Sequence, residues 1–283
     1  MSEHAVVAAA LVPGMPHMLA QQPAPSWADL AAAVREVGDD FRAVGVDTVL
    51  MLSTQWFTVL GHQFQLDPNP RGRRVDENWY DFDYGHIDYN LRIDVELTER
   101  WIAATAERGL QARKTHYEQF PIDSGTTTVS SLIDPGRQFR FAQVSCNLYA
   151  AVDSIATIAQ AGLAAAESVG RRVGVLVVSG LSAGLLQRWI EPADDRIATP
   201  EQDRWNRRIL DLLVRGEIDE ILSVREQFAR EGAADSQFRA LAFLAGAGVL
   251  TSSAQVLAYG PIWGTGAAVL RWQIGDDRLE RKQ

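Results

Sequence analysis

The chain holds one cysteine, Cys146, in 283 residues. An intrachain disulfide is therefore impossible, and a zinc–thiolate cluster is excluded. A single thiol fits a reducing compartment, so the cytoplasm is the expected location. Positive charge is also scarce: Lys and Arg total 27 against 36 Asp and Glu, a formal net charge of -9. No basic tract exceeds Arg71-Gly72-Arg73-Arg74. The long-range field thus argues against a nucleic-acid partner. Apolar runs are no longer than strands, which argues against a membrane span. Met1–Ala10 lacks a basic region before its apolar run, and Pro13 and Pro16 interrupt that run early. It reads as a first strand rather than a signal peptide. The five histidines, His4, His17, His62, His86 and His116, include no pair at the spacing of a helical zinc motif.

What is present is the pattern of an α/β protein. Val6–Val12, Asp47–Ser53, Phe139–Ser145 and Val173–Ser179 read as buried strands. Gln255–Tyr259 and Ala267–Gln273 read as two late strands around a Gly-rich turn. Trp27, Leu30, Val34, Val37, Phe41 and Val44 recur at three- and four-residue steps, one face of a helix. Ser26, with Asp29 three residues on, is the expected N-cap of that helix. Further helices are expected over Glu96–Arg108, Asp153–Ser168, Glu201–Arg215, Ile218–Arg230 and Ser236–Ala247. Strands alternating with helices predict a central β-sheet covered by helices on both faces. With no linker or internal repeat, residues 1–283 are expected to form a single domain.

Ligand sites in such folds gather at strand ends. Polar segments follow the predicted strands at Gly14–His17, Thr54–Trp56, Ser179–Ala183 and Gly260–Gly266. Val75–Phe82 and Phe120–Thr127 add acids, aromatics and hydroxyls. Acid-aromatic loops can line a pocket or form a subunit interface, and composition does not separate the two. Ser182 stands between Gly180 and Gly184. It does not read as the nucleophile of a strand–turn–helix elbow, so a hydrolase is not expected. Gly260–Gly266 lacks the lysine of a phosphate loop.

Several motifs occur in a consistent order. They are Val12-Pro13-Gly14, Ser53-Thr54-Gln55-Trp56-Phe57, Val75-Asp76-Glu77-Asn78-Trp79-Tyr80 and Phe120-Pro121-Ile122-Asp123-Ser124-Gly125-Thr126. Gly180-Leu181-Ser182, Asp203-Arg204-Trp205-Asn206-Arg207-Arg208 and Tyr259-Gly260-Pro261 follow. Together they resemble the class III extradiol ring-cleavage dioxygenases, the protocatechuate 4,5-dioxygenase superfamily, over nearly the whole chain. The resemblance implies a mixed-sheet α/β fold and a ferrous site of two histidines and one carboxylate. Catalytic members carry histidines at the positions of Gln55, Ser124 and Ala183, and a glutamate at Gln237. Only His17 falls near a catalytic position, that of the first iron-ligating histidine.

The resemblance therefore implies a subunit with a degenerate site, no metal of its own and no catalytic residue. Fe(II) would sit in a homologous catalytic β subunit, in an α2β2 assembly opening 2-aminophenol or a related ring. The relic cavity is expected to be lined by His17, Gln55, Trp56, Ser124, Ser182, Ala183 and Gln237, and His17, Trp56, Asp123 and Ser182 are the expected binding residues. Two alternatives stay open. One is an active iron dioxygenase with ligands drawn from His17, His62, His116, Glu77 and Asp123. The other is a binding module for an aromatic ligand.

Overall fold

The most apolar strand of the sequence lies at the centre of the sheet. The computed structural model describes residues 5–75, 86–117 and 120–274. The chain runs β1 (Val6–Val12), α1 (Pro25–Ala43), β2 (Thr48–Thr58), β3 (His62–Gln65), β4 (Arg71–Arg74) and β5 (Ile87–Asn90). It continues through α2 (Val95–Glu107), β6 (Ala112–Thr115), α3 (Ser124–Ile133), β7 (Arg140–Asn147), α4 (Val152–Ser168) and β8 (Val173–Val178). The last third holds α5 (Pro200–Arg215), α6 (Ile218–Glu231), α7 (Arg239–Gly246), β9 (Gln255–Ile262) and β10 (Thr265–Gln273).

Eight strands form one sheet in the order β6-β3-β7-β2-β8-β1-β10-β9, and β4 and β5 form a separate pair. The inner strands β7, β2, β8 and β1 are mutually parallel, while β10 and β9 close one edge antiparallel. This is a mixed α/β sheet, as the sequence pattern predicts. The inner strands are apolar on both faces because helices cover both. Alternate residues divide between two cores. Ala9, Leu11, Leu50, Leu52, Val175 and Val177 pack with Trp101, Ile158 and Phe243 of α2, α4 and α7. Ala10, Val12, Val49, Met51, Leu176 and Val178 pack with Trp27, Leu30, Val34 and Val129 of α1 and α3.

Several elements depart from the sequence reading. α1 begins at Pro25 with Ala24 at the cap position and no side-chain cap. Ser26 instead donates to the Pro261 carbonyl at 3.1 Å, tying α1 to β9. β2 runs past Ser53 to Thr58, and Phe120–Thr127 is not all loop. Asp123 caps α3 by accepting from Thr126 N at 2.9 Å. Ser-Gly-Thr-Thr-Thr is a weak helix former in isolation, so packing against the sheet decides that helix. The expected helix at Ser236 begins only at Arg239, after a left-handed run.

Where α7 meets α4 the backbones touch. A Cβ on Gly246 would lie 2.2 Å from the Ala156 carbonyl oxygen. Gly246→Ala should therefore force the helices apart and cost about 1–3 kcal/mol. Chemical denaturation of the variant should show a lower midpoint with an unchanged slope.

Candidate functional site

Three parallel strands, β1, β2 and β8, end side by side. Their pairing closes at Val12↔Val178 and Ser53↔Val178. Beyond that line β2 bulges. Its register with β7 jumps from Ser53↔Ser145 to Phe57↔Cys146, leaving Thr54, Gln55 and Trp56 outside that ladder. Bulges beside functional sites re-aim side chains, and this one presents Gln55 to the first βα loop and to the start of α3. Ser124 Oγ donates to Gln55 Oε1 at 2.7 Å. A Cβ on Gly14 would lie 2.8 Å from Gln55 Nε2 and 2.7 Å from Gly125 Cα. Glycine is required there because two backbones and an amide occupy one gap.

A cavity of about 240 Å³ opens at these strand ends. Pro13, Gly14 and Met15 form one wall, and Thr54 and Gln55 a second. Gly180, Ser182, Ala183 and Leu185 form a third, with Asp235, Thr265 and Ala267 completing it. Asp235 is its best-held polar group. Its Oδ2 accepts from Thr54 Oγ1 at 2.8 Å, Gly180 N at 2.9 Å and Ser179 Oγ at 3.1 Å. Its Oδ1 accepts from Ser236 Oγ at 3.0 Å.

The turn that carries Asp235 is strained and pinned. Ser236, Gln237 and Phe238 have φ of 47°, 57° and 54°. Left-handed backbone costs an L-residue roughly 1–2 kcal/mol. Buried Arg239 donates to the carbonyls of Leu148 at 2.7 Å, Ala150 at 2.9 Å and Ser236 at 3.0 Å, anchoring the turn to the loop after β7.

A family model described as "Catalytic LigB subunit of aromatic ring-opening dioxygenase" matches residues 8–269. The chain belongs to this family. It is similar to the 2-aminophenol 1,6-dioxygenase alpha subunit of Pseudomonas sp, with 34% identity over 95% of this chain and 99% of that one. It is also similar to the 2-aminophenol 1,6-dioxygenase beta subunit of Pseudomonas sp, with 24% identity over 99% of this chain and 98% of that one. The crystal structure of the uncharacterized protein JW3007 from Escherichia coli K12 superposes with a TM-score of 0.66 at 12% identity. It covers 94% of this chain and 99% of its own, a likeness of fold alone.

The LigB-family positions separate in space. Gln55, Ser182 and Ala183 line the cavity, and Ser124 stands one hydrogen bond behind Gln55. Gln237 does not line it: its side chain is exposed, and its carbonyl accepts from Arg225 at 2.9 Å. The carboxylate in the cavity is Asp235, two residues earlier, which the sequence reading missed. The left-handed turn makes this exchange, and periodicity carries no signal for it. Asp123 serves structure, accepting from Ser53, Thr126 and Gln143. Trp56 is buried, its ring 6.1 Å from Phe120.

His17 also lies outside the cavity wall. Its ring centroid is 4.9 Å from Trp27, edge-on, and 6.1 Å from Trp263, stacked. The same cluster is held by Asp195, which accepts from Trp27 Nε1 at 2.8 Å, Trp263 N at 2.6 Å and Gly264 N at 3.0 Å. His62 is in β3, separated from β2 by β7. Glu77 and Asp76–Phe82 lie outside the described residues. The letters Gly180-Leu181-Ser182-Ala183-Gly184 do spell Gly-x-Ser-x-Gly, so spacing alone does not dismiss an elbow. The structure dismisses it. No helix follows the serine directly, and buried Ser182 Oγ accepts from Asn206 Nδ2 at 2.9 Å and Gly266 N at 3.0 Å.

The cavity donors do not suit ferrous iron. Among the described residues they are one carboxylate already accepting four bonds, three hydroxyls already engaged and one neutral amide, with no imidazole. No group of three or more His, Cys, Asp or Glu able to hold a metal occurs among the described residues. A larger cavity of about 340 Å³ lies at the opposite end of the sheet, beside the start of β7. Its Arg92, Asp134 and Arg137 are bonded to neighbouring backbone, so it reads as a gap between elements.

Burial pushes the imidazoles of His17 and His62 down to about 4. The unfolded chain then takes up these protons first, near pH 6.5. Stability should be full above that value and fall as pH drops toward 4. The loss between pH 7 and pH 5 should be about 2 kcal/mol per histidine. Denaturant titrations at both pH values check this, and His62→Gln should flatten the slope by about half.

Proposed function

We propose that this chain is the non-catalytic subunit of a two-subunit extradiol dioxygenase that opens 2-aminophenol or a related ring. Fe(II) would belong to a homologous catalytic β subunit, in an α2β2 assembly, and this chain would bind none. The observation that carries the reading is the donor set at the carboxyl ends of β1, β2 and β8. Extradiol chemistry needs three strong ligands on one face of the iron and open positions for substrate and dioxygen. Here Gln55 supplies a neutral amide, weaker toward Fe(II) than imidazole or carboxylate. Among the described residues Asp235 is the one anion of the cavity; its Oδ2 accepts from Thr54, Ser179 and Gly180, and its Oδ1 from Ser236. Freeing it for a metal would leave the Gly180 N–H unpaired, at about 1–3 kcal/mol, while the Thr54 and Ser179 hydroxyls would keep only the carbonyls of Val178 and Gly180.

Two further points support the reading. The curated relatives include both an alpha and a beta subunit of one named dioxygenase, and this chain is more similar to the alpha. Moreover, the strand ends are tightly filled where Gly14, Gln55 and Gly125 meet. Larger coordinating side chains have little room there. A cytoplasmic location belongs to the same proposal. Among the described residues no helix is long and apolar enough to cross a membrane, and Cys146 is a buried free thiol.

The test is anaerobic reconstitution of the purified chain with Fe(II), followed by metal analysis and oxygen uptake with 2-aminophenol. Near-zero bound iron and no uptake are expected. Mixing with a catalytic beta-type subunit should then yield a stable complex whose iron resides in that partner. Stoichiometric iron with turnover by this chain alone would overturn the proposal.

A further inference from the structure

Among the described residues Asp235 is the only charged side chain lining the cavity, and no cation of that lining faces it. Its neighbour in charge, Arg239, is buried, and its guanidinium donates to three backbone carbonyls instead. Asp235 is half-buried. Oδ2 is filled by three donors, but Oδ1 accepts from Ser236 alone and retains a lone pair for a ligand. Across the same cavity, Gln55 spends its amide oxygen on Ser124, which leaves its Nε2 as an open donor. Pro13, Met15, Leu185 and Ala267 supply apolar wall. At about 240 Å³ the space is smaller than sites for drug-sized ligands. It suits a single substituted ring.

We propose that this cavity is a binding site for a small aromatic amine. The ligand's N–H donates to Asp235 Oδ1, a second polar substituent accepts from Gln55 Nε2, and the ring packs between Met15 and Leu185. The inference rests on the non-catalytic reading, because the ligand stays chemically unchanged. The charge sets the specificity. A carboxylate with no counter-cation in a partly desolvated pocket repels anionic rings and rewards donors. The strained turn at Ser236–Phe238 serves the same end, since it holds Asp235 at the cavity without a helix to present it.

The experiment is calorimetric titration of the full chain, stripped of metal with a chelator and kept under nitrogen. The two probes are 2-aminophenol and benzoate, similar in size and opposite in what they offer Asp235. Saturable binding of 2-aminophenol, at least about tenfold tighter than benzoate, is expected. Ala183→Phe narrows the cavity mouth without touching the Asp235 bonds, and should weaken 2-aminophenol about tenfold or more with the melting temperature unchanged. Asp235→Asn, where it folds, should reduce the preference over benzoate. No saturable heat at millimolar 2-aminophenol would overturn the site while leaving the subunit reading intact. Equal affinity for benzoate, or an inert Ala183→Phe, would also overturn it. Binding, together with oxygen uptake by a parallel sample reconstituted with Fe(II), would instead overturn the non-catalytic reading, leaving the cavity as the place of binding.

Discussion

The carboxylate of Asp235 joins three parts of the chain that are far apart in sequence. Thr54 belongs to the bulge of β2, Ser179 and Gly180 to the exit of β8, and Asp235 to the turn before α7. Charge-assisted hydrogen bonds are the stronger kind, and these converge on a single oxygen. They offset the left-handed backbone of Ser236, Gln237 and Phe238, which the isolated turn would not adopt. Arg239 completes the arrangement from below by bonding the loop after β7. The cavity's shape and charge both follow from this junction.

The same junction explains why a LigB-family fold can persist without a ferrous donor set. In a metal site the ion itself neutralises and orients the side chains around it. Here that work passes to hydrogen bonds: Ser124 to Gln55, Thr54 and Ser179 to Asp235, Asn206 and Gly266 to Ser182. These bonds hold the side chains of Gln55, Asp235 and Ser182 in place at the strand ends. Close packing of Gly14 against Gly125 then fills part of the volume.

Much of the fold was legible before any coordinates. β1 was read at Val6–Val12, its observed bounds, and the helices over α2, α4, α5 and α6 were read within a residue or two. These elements carry strong periodic or continuous apolar patterns. What escaped reading was short or weakly patterned. β3, β4, β5 and β6 have four residues each, too few for a period to emerge. α3 is built of Ser, Gly and Thr, whose intrinsic preference opposes a helix. Its formation depends on the Asp123 cap and on burial of Val129, Leu132 and Ile133.

The candidate site was legible in part, and the reason is local geometry. Gln55 and Ala183 could be placed because they lie near the carboxyl ends of β2 and β8, and strand ends in parallel sheets converge. His17 and Gln237 could not. His17 belongs to an aromatic cluster with Trp27 and Trp263, a contact between residues more than two hundred positions apart. Gln237 turns outward because of backbone angles that no residue-type preference announces. By itself the sequence determined the strands, the helices with long apolar faces and the family, since these reside in local pattern and residue identity. Only the tertiary structure decided which side chains face the cavity, and it chose Asp235 over Gln237. That choice depends on bonds between β2, β8 and a strained turn, which exist only once distant segments have met.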